Sequence, residues 1–374
     1  MKQITVMIKP ASSLCNMRCR YCFYADVSSL REVNSFGIMK YDVLNSILEH
    51  VFVDLGGNDH LTLAFQGGEP TLVGLNFYRG VIESVNLHRR ENIQVSYAIQ
   101  TNGLLLDHEW CQFLKDNRFL VGLSLDGPSD FHNANRLDES GKGTFRRILK
   151  TKQELDHAGV DYNILTVLTR QMARHPRQIW RMIQKENLRH IQFVPCLGPL
   201  DGQESIYGLT PAQYAEFYKS LFDLWFSSFQ RGDYYSIKLF DDLINLLAYG
   251  QCNACGLLGY CQPQIIVEAD GGVYPCDFYV LDQYRIGNLT TDSLRSLYES
   301  PAMSHFLARP AEDKTLCGEC AYRDLCNGGC QRMRREVFYT PGAEFCGQRD
   351  FLGYSIDRLR QIALRFRQTD SFSH

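Results

Sequence analysis

At 374 residues, with 45% hydrophobic and 22% charged residues, the chain has ordinary globular composition and is long enough for one large α/β barrel or two domains. A net charge of −3 with no long basic run gives no electrostatic footprint for nucleic acid or anionic lipid, and no run of about 18 apolar residues offers a membrane span. The first nine residues have too short an apolar stretch and no small-residue cleavage site for a signal peptide, so a soluble, cytoplasmic protein is expected.

The first two hundred residues alternate apolar β-type runs with helical patterns, which predicts a parallel sheet with crossover helices. Strands are expected over Ile4–Lys9, His60–Phe65, Ile93–Gln100, Phe119–Leu125, Tyr162–Leu168 and His190–Pro195. Helices are expected over Tyr41–Leu55, Asn76–His88, His108–Asp116, Thr144–Ala158 and Pro176–Glu186, the last with proline in its first turn. Six βα units of this kind predict an incomplete (β/α)6 barrel of the TIM type, with its chemistry at the C-terminal strand ends. Unusual residues gather there: Gln66-Gly67-Gly68-Glu69-Pro70, Gln100-Thr101-Asn102-Gly103 and Asp126-Gly127-Pro128. Beyond Pro199 come an aromatic-rich helix, Pro211–Gln230, and a second, Ile237–Tyr249. The domain boundary is placed near residue 235, giving a barrel over 1–234 and a cysteine-rich domain over 235–374. Gln264–Cys276 reads as a β-hairpin whose Asp270-Gly271 pair supplies the positive φ of the turn.

Fourteen cysteines without a secretory signal point to metal ligands or catalytic thiols in place of disulfides. Cys15, Cys19 and Cys22 follow the first strand in a C-x3-C-x2-C pattern. Three thiolates on a four-iron cluster leave one iron open to a small molecule, whereas a zinc knuckle would need a fourth ligand from elsewhere. Nine cysteines lie from Cys252 onward, and eight of them, Cys255, Cys261, Cys276, Cys317, Cys320, Cys326, Cys330 and Cys346, suffice for two four-cysteine sites. Their spacing alone does not separate iron–sulfur clusters from zinc. Cys111 fits a helix core, Cys196 stands at a strand end, and Cys252 forms a C-x2-C pair with Cys255.

The C-x3-C-x2-C pattern, the aromatic Tyr21 before its last cysteine and the Gly67-Gly68-Glu69-Pro70 loop resemble the radical S-adenosylmethionine (SAM) superfamily. The C-terminal cysteines resemble its SPASM domain, which holds two auxiliary four-iron clusters. Within that group the chain is most similar to the anaerobic sulfatase-maturating enzymes, on Ile8-Lys9-Pro10-Ala11-Ser12-Ser13, Cys22-Phe23-Tyr24, Phe65 to Thr71, Gln100 to Gly103 and Tyr274-Pro275-Cys276-Asp277-Phe278-Tyr279. The resemblance implies three 4Fe-4S clusters: one on Cys15, Cys19 and Cys22 that binds SAM, one on Cys255, Cys261, Cys276 and Cys330, and one on Cys317, Cys320, Cys326 and Cys346. It also implies oxidation of a cysteine or serine in an unfolded sulfatase polypeptide to Cα-formylglycine, with reduced flavodoxin or ferredoxin as electron donor.

By the same resemblance Gly67, Gly68 and Glu69 contact the amino group of SAM through backbone groups that the glycines leave accessible, and Asp277 is the general base. A carboxylate of pKa about 4 is a poor base for a thiol of about 8.5 unless burial raises it, so Asp277 is expected to be buried. Ser124 and Arg136 are candidates for the ribose and carboxylate of SAM, and Leu197 for its adenine. Tyr21, Tyr24, Gln66 and Asn102 are candidates to line the SAM and peptide pocket, hydrophobic packing being the alternative for the tyrosines. Two other readings stand beside this one. A SPASM enzyme could crosslink a ribosomal peptide, although a SAM motif beginning at residue 15 leaves no room for an N-terminal leader-binding domain. A zinc-stabilised barrel could instead be a binding protein without catalysis.

Overall fold

The computed structural model describes residues 2–252, 254–309, 315–339, 342 and 344–370. In chain order it runs β1 (Gln3–Ile8), α1 (Phe23–Ser29), α2 (Tyr41–Val53), β2 (His60–Phe65), α3 (Leu75–His88), β3 (Gln94–Thr101), α4 (His108–Asp116), β4 (Phe119–Ser124), α5 (Ser129–Asn135), α6 (Phe145–Ala158), β5 (Tyr162–Leu168), α7 (Pro176–Lys185), β6 (His190–Pro195), α8 (Pro211–Gln230), β7 (Ser236–Ile237), α9 (Lys238–Tyr249), β8 (Ile265–Val267), β9 (Gly272–Tyr274) and β10 (Gly287–Asn288). Short helices follow, and the chain ends in a long one, Gly347–Asp370. The six expected strands form within one or two residues of their predicted ends, because each is a short apolar run closed by glycine, proline or a polar turn. No helix among the described residues is long and apolar enough to cross a membrane.

Two compact units divide the chain. The first comprises Met1–Ser124, Asn133–Tyr162 and Pro263–Arg309, the second Leu125–His132, Asn163–Gln262 and Pro310–His374. The expected boundary near residue 235 follows chain order, whereas packing places the hairpin of residues 263–309 with the first unit.

In the first unit the strand order is β10-β9-β8-β1-β2-β3-β4. Strands β1 to β4 and β8 run parallel, while β9 and β10 return antiparallel. Among the described residues β10 pairs only with β9, so the order is open-ended, in agreement with an incomplete barrel. Alternate residues of β2, Leu61, Leu63 and Phe65, are fully buried, as are Leu44, Ile47, Leu48 and Val51 on one stripe of α2. Burying each such side chain contributes about 1.5–3 kcal/mol, which makes this face the mechanical base of the strand ends above it.

Register decides what stands at those ends. Ile8 is opposite both Phe65 and Val267, so the next residues, Lys9, Gln66 and Glu268, emerge side by side. The ladder continues one step further, with Lys9 N–H donating to Val267 O (2.8 Å) and Gln66 N–H to Ile8 O (3.0 Å). Gly271, at φ +82°, closes the β8–β9 turn as the Asp-Gly pair predicts.

In the second unit β5, β6 and β7 are parallel neighbours. Helix α8 begins with a capping box between Thr210 and Gln213 and with Pro211 at its first position. Its buried Phe217, Leu221, Phe222 and Trp225 lie on the face that packs against the C-terminal helix and α9, where Phe351 and Phe240 meet Phe222. The Trp225 indole N–H is satisfied by Tyr235 O at 2.7 Å.

Candidate active site

The chain leaves β1 through Lys9-Pro10-Ala11-Ser12-Ser13-Leu14 and turns at Ser12, which holds a left-handed φ of +49°. This turn sits directly on the glycine loop. Gly68 N–H donates to Ser12 O (2.8 Å) and Glu69 N–H to Leu14 O (2.7 Å). A Cβ on Gly68 would stand 2.0 Å from Leu14 O, and one on Gly67 2.9 Å from Ser12 O, so both glycines are required by the approach of backbone to backbone. The amide N–H groups of Gly68 and Glu69 therefore serve the cysteine loop, and only acceptor groups of this loop remain for an amino group such as that of SAM.

The Glu69 carboxylate is held from within the protein as well. It is 1% exposed, and Oε1 accepts from Thr71 N–H (3.0 Å), Thr71 Oγ1 (2.6 Å) and Thr101 Oγ1 (2.7 Å), while Oε2 accepts from Asn102 N–H (2.7 Å). Both oxygens are occupied from within the protein. Burial pushes this carboxyl up, and the hydrogen bonds from Thr71, Asn102 and Thr101 oppose it. Glu69 is thus a clasp that ties the end of β2 to the end of β3.

The loop from Met17 to Arg20 is stitched to a second segment of the same unit. Arg18 N–H donates to Leu137 O (2.7 Å), Arg20 N–H to Asn135 O (3.0 Å), and Met17 pairs with Asp138 as an antiparallel bridge. This brings buried Arg136 over the Tyr21 ring, 5.7 Å from its centroid. Ser124 accepts from Gln100 Nε2 at 3.2 Å at the end of β4. Asn102 Nδ2 donates to Asn16 Oδ1 (2.8 Å) and points at Cys15 Sγ (3.8 Å), which ties it to the cysteine loop, while the other candidates for the peptide pocket meet elsewhere. Leu197 is half-buried and stands in the second unit just beyond β6.

Those other candidates do converge. Tyr24 Oη donates to Asp277 Oδ2 at 2.7 Å, and Gln66 Nε2 donates to Tyr24 Oη at 2.6 Å and to Asp277 Oδ2 at 3.3 Å. The Asp277 side chain is 14% exposed, and its Oδ1 is buried without a hydrogen-bond partner. Burial pushes the carboxyl up, opposed by the Lys9 ammonium and the Tyr24 hydroxyl, which is the direction a base for a thiol requires. Tyr24 is raised well above the usual phenol range by burial and by the neighbouring Asp277 carboxylate, so it remains a donor.

Behind this cluster lie three residues that sequence reading missed as site residues. Lys9 and Arg31 both reach Glu268 Oε1, at 3.4 and 2.7 Å, and the three side chains are 3%, 1% and 0% exposed. A lysine closing an apolar strand was the available signal, because lysine is almost never fully buried unless paired.

The thiols fit iron–sulfur ligation in the first unit and in the second. Burial pushes Cys15 up to about 12, against the Met17 N–H that lowers it, and the charges of Glu69, Cys19 and Cys22 also raise it, so the three cysteines share one neighbourhood in which a bound cation would favour thiolates. Cys317, Cys320, Cys326 and Cys346 line one hollow with Leu316 and Phe338. Burial pushes Cys326 up to about 12, and Cys346, Cys317 and Cys320 add to the shift. The hollow is bounded by a turn at Asn327-Gly328-Gly329, whose carbonyls at Gly328 (2.9 Å) and Gly329 (3.1 Å) accept from buried Arg334. Cys255, raised first by burial, also senses Cys330, Cys261 and Cys252. Cys276 is in the first unit, immediately before Asp277. Among the described residues no three His, Cys, Asp or Glu side chains converge to hold a single metal ion. Cys317, Cys320, Cys326 and Cys346 are spaced around their hollow.

Residues 10–183 match the radical SAM superfamily and residues 259–321 the SPASM iron–sulfur cluster-binding domain. The cysteine-type anaerobic sulfatase-maturating enzyme of Clostridium novyi (strain NT) is 42% identical, over 98% of this chain and 100% of the relative. The serine-type enzyme of Bacteroides thetaiotaomicron is 27% identical, over 92% of this chain and 87% of the relative. A solved structure of native anSMEcpe with bound AdoMet and the Kp18Cys peptide aligns with a TM-score of 0.87 at 37% identity, covering 97% of this chain and 99% of that one. With near-complete coverage at this identity and both domain families in place, the chain belongs to the anaerobic sulfatase-maturating enzymes of the radical SAM superfamily.

Proposed function

We propose that this chain oxidises a cysteine of an unfolded sulfatase to Cα-formylglycine in the cytoplasm. The observation that carries the reading is the Tyr24–Gln66–Asp277 cluster in a chain 42% identical to a cysteine-type enzyme. Cys15, Cys19 and Cys22 would hold the SAM-binding cluster. Cys255, Cys261, Cys276 and Cys330 would hold one auxiliary cluster, and Cys317, Cys320, Cys326 and Cys346 the other, with a flavodoxin or ferredoxin as donor. When bound, these groups supply the 5′-deoxyadenosyl radical that removes a hydrogen atom from the substrate Cβ and accept the electron that leaves afterwards.

What remains for the protein is a proton and a geometry. The Asp277 carboxylate takes the thiol proton, and Tyr24 and Gln66 hold it through Oδ2. Loss of the hydrogen atom, the proton and the electron leaves a C=S bond, which water hydrolyses to the aldehyde with release of hydrogen sulfide. Gly67 and Gly68 seat the cysteine loop, while Arg136, Ser124 and Leu197 are assigned to SAM.

An anaerobic assay with a Cys-x-Pro-x-Arg peptide, read by mass spectrometry, tests the reading: the aldehyde forms, and a serine peptide reacts more slowly. SAM turnover without aldehyde would instead favour a peptide-crosslinking enzyme. Asp277→Asn is expected to suppress aldehyde formation by about 10²-fold or more while SAM is still cleaved. Unchanged aldehyde yield removes Asp277 from the mechanism.

A further inference from the structure

Lys9 stands beside both Asp277 and Tyr24 of the proposed proton-transfer cluster without having a role in it. Its Nζ is 3.4 Å from Glu268 Oε1, 3.9 Å from Asp277 Oδ1 and 4.7 Å from the centroid of the Tyr24 ring. Its stem lies against Gly67, where an added Cβ would come within 3.1 Å of Lys9 Cβ and 3.2 Å of Lys9 Cε. The side chain is therefore confined by the glycine loop below, an aromatic face beside it and two carboxylates at its tip.

We infer that Lys9 is a positioning residue for the oxidation, its tethered ammonium fixing the plane of the Asp277 carboxylate and the ring of Tyr24. This rests on the function proposed above. Asp277 is hydrogen-bonded through Oδ2 alone, and a carboxylate held by one oxygen is free to twist about its Cβ–Cγ bond. A cation 3.9 Å from Oδ1 resists that twist electrostatically, yet is too distant to occupy the lone pairs that must receive the substrate proton. Glu268 keeps it at that distance by drawing the ammonium back. Arg31, bound to the same Glu268 oxygen at 2.7 Å, anchors Glu268 in turn. The result is a cation near enough to orient the base and restrained from blocking it.

The test uses the reconstituted holoenzyme under anaerobic conditions, with iron per chain measured first. Misplacement of a reacting group by an ångström costs up to about 10²-fold, so Lys9→Met is expected to lower kcat for the aldehyde by at least about tenfold. Peptide KM should stay within about threefold, because substrate binding is not what Lys9 supports. The ratio of 5′-deoxyadenosine to aldehyde should rise, and Lys9→Arg should recover part of the loss. If Lys9 acts through Asp277, the K9M/D277N double variant is no slower than D277N by more than about twofold, whereas independent damage would multiply.

Wild-type-like turnover by K9M, multiplying losses, or an activity loss that merely follows iron content with an unchanged product ratio each overturns the inference. Should K9M hold no iron, Lys9→Gln is read in the same way, and failure of both to hold iron assigns Lys9 to folding. Wild-type enzyme that makes no aldehyde contradicts the proposed function itself, which separates the two failures.

Discussion

Glu69 offers the sharpest test of how the site is built. Its carboxylate receives two backbone N–H groups, from Thr71 and Asn102, and two hydroxyls, from Thr71 and Thr101, at 1% exposure. In Glu69→Ala the hydroxyls can rotate toward other acceptors, but the two N–H groups are stranded. At about 1–3 kcal/mol for each stranded buried donor the loss is about 2–6 kcal/mol, reduced by release from the burial that pushes this carboxyl up, so about 3 kcal/mol is expected. Glu69→Gln retains Oε1 and its three donors and opposes only the Asn102 N–H with an amide NH2, so it should lose about 1–3 kcal/mol. Anaerobic denaturant unfolding of the three proteins, followed by circular dichroism, gives the comparison. An E69A loss below about 1 kcal/mol, or E69Q less stable than E69A, would refute the clasp. If Glu69 instead contacted SAM directly, both variants would weaken SAM binding at unchanged stability.

Two further predictions follow from the same geometry. Gly68→Ala places a Cβ 2.0 Å from Leu14 O, so the cysteine loop must move; the variant should lose roughly four irons per chain while keeping those of the C-terminal domain, as iron analysis would report. Glu268 is pushed up by burial, but Lys9 and Arg31 outweigh that and hold it below its ordinary value. A lowered folded-state pKa contributes stability above the unfolded value of about 4.3 and loses it as pH falls through the folded value. The stability difference between wild type and Glu268→Gln should accordingly be constant from neutral pH to about 5.5 and shrink on further acidification. A difference that grows in acid would contradict the assignment.

The strand ends and the cysteine sets were legible because both are local. β2 is an alternating run ended by Gly67-Gly68, and Cys15, Cys19 and Cys22 fall within eight residues of one another. What joins β1 to β8 is not local: three apolar residues at Ile265–Val267 carry no mark of their partner more than 250 residues earlier. That single pairing brings Lys9, Glu268 and Asp277 together. Hydropathy marks Lys9, Arg31 and Glu268 as surface residues, and only their mutual pairing permits their burial. Glu69 is marked by its motif, but its partners Thr101 and Asn102 come from the next strand, so a local reading does not reveal how its carboxylate ties the two strand ends together. The Gly347–Asp370 helix is not among the elements expected from the sequence.

Hydrogen abstraction from the substrate Cβ in front of Asp277 is the step on which the proposed function turns. A Cys-x-Pro-x-Arg peptide deuterated at the cysteine Cβ, turned over anaerobically with SAM, with mass spectrometry of the 5′-deoxyadenosine, tests it. One deuterium is expected in the 5′-deoxyadenosine for each aldehyde formed. Aldehyde accompanied by unlabelled 5′-deoxyadenosine would contradict it.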